Sequence, residues 1–125
     1  MRTAYVASAG LTMLVIVFQF LTAGGFIGGL GSDGDWLDPH GAGSGGVHLF
    51  PLIMLIVATI GKLGRDAILY AAALFVLGFV QVALPGTGAA FLHPLNALVL
   101  FMLAHLALKQ VRRAQAPAAD LAPAA

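Results

Sequence analysis

Cysteine is absent from this 125-residue sequence and charge is scarce. Without cysteine the chain can form no disulfide, no thiolate-held iron–sulfur cluster and no thiol nucleophile. Only 9% of the residues are charged and 60% are hydrophobic, whereas soluble domains carry charge on about a quarter of their residues. Such a small number of charged side chains cannot cover the surface of a soluble globule of this size. The composition therefore predicts a membrane protein. The formal net charge of +1 gives no reason to expect a nucleic-acid partner.

Uncharged runs divide the chain into segments long enough to span a bilayer, which takes about 20 apolar residues. The run 67–108 is too long for one span, and the turn residues Pro85-Gly86-Thr87-Gly88 divide it, because proline ends a helix and glycine accepts turn conformations. The pattern therefore predicts an all-α integral membrane four-helix bundle within residues 1–113. We expect its helices near 4–30, 42–61, 67–84 and 89–108, followed by a disordered Ala/Pro-rich tail at 114–125.

Basic residues indicate the orientation of the bundle. All six lie on one side of the four-helix arrangement, and three of the five acidic residues lie on the other. The positive-inside rule then places both the N and C termini in the cytoplasm, in a multi-pass protein of the cell (cytoplasmic) membrane. The start of the chain has some features of a cleaved signal peptide. Its apolar segment continues to Leu30, however, so we expect it to be retained as the first helix.

Four histidines, His40, His48, His93 and His105, are the main functional indication, because ionisable side chains inside a membrane usually serve a function. His48 precedes Lys62 by 14 residues and His93 precedes Lys109 by 16, so they lie about 21 Å and 24 Å from the basic side. Helices two and four run in the same direction, so these two imidazoles can face each other. Such a pair suits axial ligation of a heme iron inside a bundle.

Other residues could contribute to a heme site or compete for the role of ligand. Asn96, one turn after His93, and Gln81 could form hydrogen bonds with a ligand or a propionate. The spacing of Gly24 and Gly28 allows close helix packing or leaves room for a flat cofactor. His40 replaces His48 as a candidate ligand if helix two begins near residue 41. We expect a structural role for His105, since no other histidine shares its depth.

Two segments resemble the third and fourth helices of one half of heme A synthase. In that family each half has four helices, and histidines on its second and fourth helices ligate heme. The resemblance matches His93 with the fourth-helix ligand and His48, more loosely, with the second-helix ligand. Small uncharacterised four-helix membrane proteins of actinobacteria are more similar still, through their Leu-His-x-x-Asn-Ala-Leu pattern. The topology corresponds over residues 5–113 and the motif over 78–101, in particular Gly78-Phe79-Val80-Gln81-Val82-Ala83-Leu84 and Leu92-His93-Pro94-Leu95-Asn96-Ala97-Leu98-Val99-Leu100-Phe101.

The sequence also departs from that family. The family has a glutamate three residues before its second-helix histidine; Gly45 stands here instead, and the chain contains no glutamate. The resemblance therefore implies one heme b site without chemistry on the heme periphery. Two histidine ligands favour electron transfer or a structural heme over catalysis, with a quinone or a redox protein as partner in the lipid membrane. The alternative is a cofactor-free structural or accessory subunit of a larger membrane complex.

Overall fold

The computed structural model describes residues 1–113, and helices account for most of this part of the chain. The four long helices are α1 (Arg2–Ile27), α2 (Asp33–Ile60), α3 (Arg65–Ala83) and α4 (His93–Arg113). Two short 3₁₀ turns, Leu84–Gly86 and Ala90–Leu92, connect α3 to α4. All four long helices have the length and apolar composition needed to cross a membrane. The prediction of an all-α chain with four helices is thus confirmed, whereas the tail at 114–125 lies outside the described residues.

The helices form a closed ring in which each packs against its neighbour in sequence and α1 packs against α4. Short connections make neighbouring helices antiparallel, so the bundle has two distinct ends. We call one the basic end, because it carries Arg2, Lys62, Arg65 and Lys109. We call the other the acidic end, because it carries Asp35, Asp38 and the 84–92 connection.

Buried residues recur every three or four positions on each helix, and together they form the seam of the bundle. This spacing keeps one stripe of each helix facing its partners, as in four-helix bundles generally. Many seam residues near the basic end are alanines, which let the backbones approach closely. The seam consists of Tyr5, Ala9, Thr12 and Ile16 on α1, Val47, Pro51, Met54 and Ala58 on α2, Ala67, Ala71, Leu74, Gly78 and Gln81 on α3, and Ala97, Leu100, Ala104, Ala107 and Val111 on α4.

Helix α2 begins at Asp33, nine residues before the predicted start at 42. The Ser32 backbone N–H donates a hydrogen bond to the Asp35 carboxylate (2.8 Å), which satisfies a donor at the start of the helix. The Trp36 indole N–H donates to the Leu30 carbonyl, and its ring packs on Gly25, where a Cβ would overlap the indole. Residues 33–41, which lie between the first two predicted helices, therefore form the first turns of α2, and Trp36 fastens them to the end of α1.

The glycine-rich segment 41–46 is helical, and two of its four glycines, Gly43 and Gly46, lie against α1. A Cβ on Gly43 would come within 2.9 Å of the Gln19 side chain, and one on Gly46 within 2.9 Å of Val15. Close contact with α1 therefore favours glycine at both positions, and α2 continues without interruption through a segment whose composition also suits a loop.

Two other helix ends differ from the prediction because of glycine and proline. Helix α1 ends at Ile27 rather than 30: Gly29 is left-handed (φ +64°), and the Leu30 N–H reaches back to the Gly25 carbonyl (3.1 Å), a typical glycine-ended helix. Helix α4 begins at His93 rather than 89, with Pro94 in the first turn, where a missing N–H costs nothing.

Pro51 and Gly78 bring α2 and α3 together. Proline has no N–H for the carbonyl four residues earlier, so Val47 has no helical partner for its carbonyl oxygen. That oxygen faces Gly78 on α3, where an added Cβ would lie 3.1 Å from it. The absence of a side chain at Gly78 thus allows this close approach of the two backbones.

We expect Gly78→Leu to destabilise the bundle by about 1–3 kcal/mol, because the larger side chain overpacks this contact. The measurement is thermal unfolding of the purified protein in detergent, followed by circular dichroism. Gly45→Leu is the matched control, since nothing lies within 4 Å of a Cβ at Gly45. Equal melting temperatures for the two variants would contradict the packing described here.

Candidate functional site

The seam becomes polar towards the acidic end of the bundle. Continuing its three-and-four spacing leads to Gln19 on α1, to Ser44 and His40 on α2, and to His93 on α4, opposite Gln81 on α3. These five side chains line a cavity of about 40 Å³ on the bundle axis. The apolar remainder of its wall comes from Ile16, Val47, Val82, Ala97 and Leu100.

His40 and His93 are neighbours across this axis. Their ring centroids are 6.1 Å apart and their planes are inclined by 52°. His48, which the sequence analysis paired with His93, instead lies against α3, with its ring centroid 4.4 Å from that of Phe79. Residues eight apart on a helix point about 80° away from each other, so His40 and His48 cannot both face the axis. The structure thus brings together His40 and His93, the pair that the sequence analysis gave as the alternative to His48 and His93.

The depth comparison favoured His48 because it measured from charged residues rather than from helix ends. Lysine and arginine have long stems that carry their charge away from the backbone position, and α4 continues past Lys109 to Arg113. In the structure the ring centroids of His40 and His93 are 6.1 Å apart, although His40 precedes Lys62 by 22 residues and His93 precedes Lys109 by 16. His40 and His93 therefore share one level of the bundle.

Gln81 and Asn96 fix the orientation of the His93 ring. Nδ1 of His93 lies 2.8 Å from the backbone oxygen of Gln81; since a carbonyl only accepts, Nδ1 carries the hydrogen. Nε2 is then the unprotonated nitrogen and accepts from the Gln81 side-chain amide (3.0 Å). Asn96 orients that amide, because its Nδ2 donates to Oε1 of Gln81 (2.7 Å) and to the Leu77 carbonyl (3.1 Å).

His40 is oriented in the same way by α1. Its Nδ1 lies 3.2 Å from the Gln19 carbonyl oxygen and 3.0 Å from the Thr22 hydroxyl oxygen. Nδ1 again carries the hydrogen, which leaves Nε2 with its lone pair. Both imidazoles are thus anchored through Nδ1–H to a backbone carbonyl of the adjacent helix. Histidines that ligate metals are usually oriented by such a hydrogen bond, which also makes the other nitrogen a better ligand.

A second cavity, of about 260 Å³, lies between α1 and α4 and shares five wall residues with the first, among them both histidines. Gly24 belongs to its wall, and nothing lies within 4 Å of where a Cβ on Gly24 would be. This residue therefore leaves open space beside the histidines. Gly28 lies at the C-terminal end of α1, where its N–H donates to the Gly24 carbonyl (2.8 Å).

The remaining two histidines lie apart from this pair. His105 is exposed on the outer face of α4. His48 has Nδ1 3.2 Å from the Ser44 carbonyl, and within residues 1–113 its buried Nε2 has no hydrogen-bond partner. The described part of the chain contains no group of three or more His, Cys, Asp or Glu side chains placed to hold a metal ion. Any metal bound by His40 and His93 must therefore bring further ligands with it.

Sequence reasoning missed Thr22 and Ser44 as parts of the site. The signal that identifies them is the spacing of the seam: His40 precedes Ser44, Val47 and Pro51 at intervals of four, three and four. The same spacing runs from His93 through Ala97, Leu100 and Ala104. His48 and His105 each come one residue after a seam residue, Val47 and Ala104, and so do not belong to the seam.

Over residues 19–90 the chain matches a family of unknown function, DUF6220. This match covers more than half of the sequence and includes His40 and Gln81, so the chain belongs to that family. No curated protein and no solved structure matches the chain significantly.

We expect Asn96→Leu to lower the free energy of unfolding by about 1–3 kcal/mol, because it leaves Oε1 of the buried Gln81 without a donor. Thermal unfolding in detergent measures the loss. His105→Leu, on the exposed face of the same helix, is the control and should leave stability nearly unchanged. If the two variants have the same melting temperature, the hydrogen bond from Asn96 contributes nothing to stability.

Proposed function

We propose that this member of the DUF6220 family is a small membrane cytochrome of the b type, with one heme b held between His40 and His93. The observation that supports this most directly is the pair of neighbouring imidazoles, 6.1 Å apart between centroids, each held through Nδ1 by a backbone carbonyl. In each ring Nε2 then has its lone pair free of a proton. Two such imidazoles, close together and on different helices of a bundle, would be able to hold one heme iron.

Heme suits this site better than a bare metal ion does. A structural zinc site takes four protein ligands, and residues 1–113 offer no third side chain of a metal-binding type near the pair. The iron of a heme needs only the two axial ligands that His40 and His93 would supply. Their chemistry thus fits the group: two neutral imidazoles from facing helices of a bundle.

The space beside the histidines also favours a flat ligand. The cavity of about 260 Å³ between α1 and α4 lies just below the volumes typical of small-molecule pockets, about 300–1,000 Å³. A flat cofactor held by His40 and His93 would use this space, which adjoins both histidines. Ala23 and Gly24 on α1 present little side-chain bulk there, whereas on the other side of the bundle Gly78 and Val47 close the contact between α2 and α3.

The protein residues would then have separate tasks. His40 and His93 bind, the Gln19 carbonyl and Thr22 orient His40, and the Gln81 carbonyl orients His93. The apolar seam residues Ile16, Val47 and Leu100 would line the inner side of the site. When bound, heme supplies one-electron chemistry, and two histidine ligands leave no open position for oxygen. This favours electron transfer with a quinone or a redox protein, or a structural heme within a larger membrane complex, over catalysis.

We expect His40→Ala and His93→Ala each to abolish heme binding, because each removes one axial ligand. The measurement is the optical spectrum of the detergent-purified protein, oxidised and dithionite-reduced, with a pyridine hemochrome assay. The wild type should show a sharp Soret band at about one heme per chain. His48→Ala is the matched control and should keep the chromophore.

Heme retained in His93→Ala would overturn the assignment of this ligand. Loss of heme in His48→Ala together with retention of heme in His40→Ala would make His48, rather than His40, the ligand on α2. A colourless wild type from heme-replete cells would remove the proposal. The protein would then be a cofactor-free accessory subunit, identified through the proteins that co-purify with it.

The same proposal places the chain in the cell membrane as a multi-pass protein with both termini in the cytoplasm. What supports it is the four apolar helices together with the concentration of lysine and arginine at the basic end. Lysine and arginine are enriched in cytoplasmic loops, because the positive-inside rule governs insertion. The acidic end and the heme site beside it would then face the outside.

Because the sequence has no cysteine, single cysteines can report this orientation without background. We expect a membrane-impermeant maleimide to label Gly88→Cys in intact cells. Ala125→Cys should react only after the membrane is permeabilised. The reverse pattern would invert the topology. Labelling of both variants in intact cells would show that the 84–92 connection and the C terminus lie on the same side, so that α4 does not cross the membrane.

A further inference from the structure

The side-chain amide of Gln81 is hydrogen-bonded to Nε2 of His93, the nitrogen that would bind iron in the proposed function. Its amide nitrogen lies 3.0 Å from Nε2 of His93. We infer that Gln81 caps this ligand nitrogen in the heme-free protein and has to leave it when heme binds. This inference rests on the proposed function, and it makes Gln81 a positioning residue that sets the affinity of the site.

The hydrogen bonds determine which end of the Gln81 amide faces His93. Asn96 donates from Nδ2 to one end of that amide, at 2.7 Å, so this end must be the acceptor, Oε1. The other end is therefore the NH₂ group, which can only donate, and Nε2 of His93 accepts from it. The backbone carbonyl of Gln81 holds Nδ1 of the same ring, so one residue contacts both nitrogens of His93.

The cap has a benefit and a cost. A buried nitrogen without a partner is unfavourable, and the amide avoids this penalty while no metal is bound. Heme binding must first break the hydrogen bond, so the amide competes with iron for the same lone pair. Gln81 lines both cavities beside the histidines, which gives its amide space to move away from the ring.

The substitution Gln81→Leu distinguishes an amide that competes with iron for Nε2 of His93 from an amide that helps His93 to bind heme. Leucine is similar in size to glutamine but has no hydrogen-bond donor, and the substitution keeps the backbone carbonyl that orients Nδ1. Gln110→Leu is the matched control. It makes the same chemical change on α4, 17 residues from His93 and therefore about 26 Å away along the helix.

Two measurements test the inference. In a titration of the heme-free protein with hemin in detergent, Gln81→Leu should bind about two- to tenfold more tightly than the wild type, the range that one net hydrogen bond corresponds to. Gln110→Leu should bind like the wild type. In the heme-free protein with ¹⁵N-labelled histidine, the Nε2 resonance of His93 should shift in Gln81→Leu and stay in place in Gln110→Leu.

Weaker hemin binding by Gln81→Leu would overturn the inference, because it would mean that the amide supports the ligand rather than competing for it. An Nε2 resonance that does not move would also overturn it, since the amide would then not lie on that nitrogen. The nitrogen measurement needs no heme. A wild type that binds no hemin therefore contradicts the proposed function, and the resonance still decides whether Gln81 caps His93.

Discussion

In a bundle whose outer faces are apolar, a polar side chain is stable mainly on the axis, where other helices provide hydrogen-bond partners. This constraint governs the arrangement of the molecule. The seam holds alanine, leucine and a few hydroxyl groups towards the basic end, and the backbones pack closely there. Towards the acidic end, glutamine, serine and histidine occupy the same stripe, and their larger polar groups leave cavities between the helices. One repeated spacing thus gives a tightly packed end and an end with cavities lined by polar side chains.

Composition and charge were enough to predict the number of helices and the division at Pro85, because long uncharged runs and turn residues are local signals. The start of α2 was not predicted. Gly43 and Gly46 look like loop residues in isolation, and only their contact with α1 explains a helix there. Of the residues predicted for the site, His93, Gln81 and Gly24 line the cavities at His40, and Asn96 is hydrogen-bonded to Gln81. The partner of His93 was assigned from depth alone, whereas the angular position on the helix distinguishes His40 from His48.

The seam spacing carries that angular information. Reading it requires knowing that α2 extends back to Asp33 and that α4 continues to Arg113, which the charge pattern does not reveal. Aspartates close to the start of a helix can belong to its first turn as well as to a loop. Basic residues close to its end can belong to its last turns. Charge marks the ends of the bundle well but locates the helix termini only to within several residues.

The two histidines also divide the molecule into equivalent halves. The hairpin of α1 and α2 contains His40 together with the Gln19 carbonyl that orients it. The hairpin of α3 and α4 contains His93 together with the Gln81 carbonyl that orients it. Each hairpin thus sets the direction of its own imidazole through one of its own carbonyls, without a contribution from the other hairpin. The connection at 61–64 joins the two hairpins, and the packing of the bundle is what brings their two oriented imidazoles together.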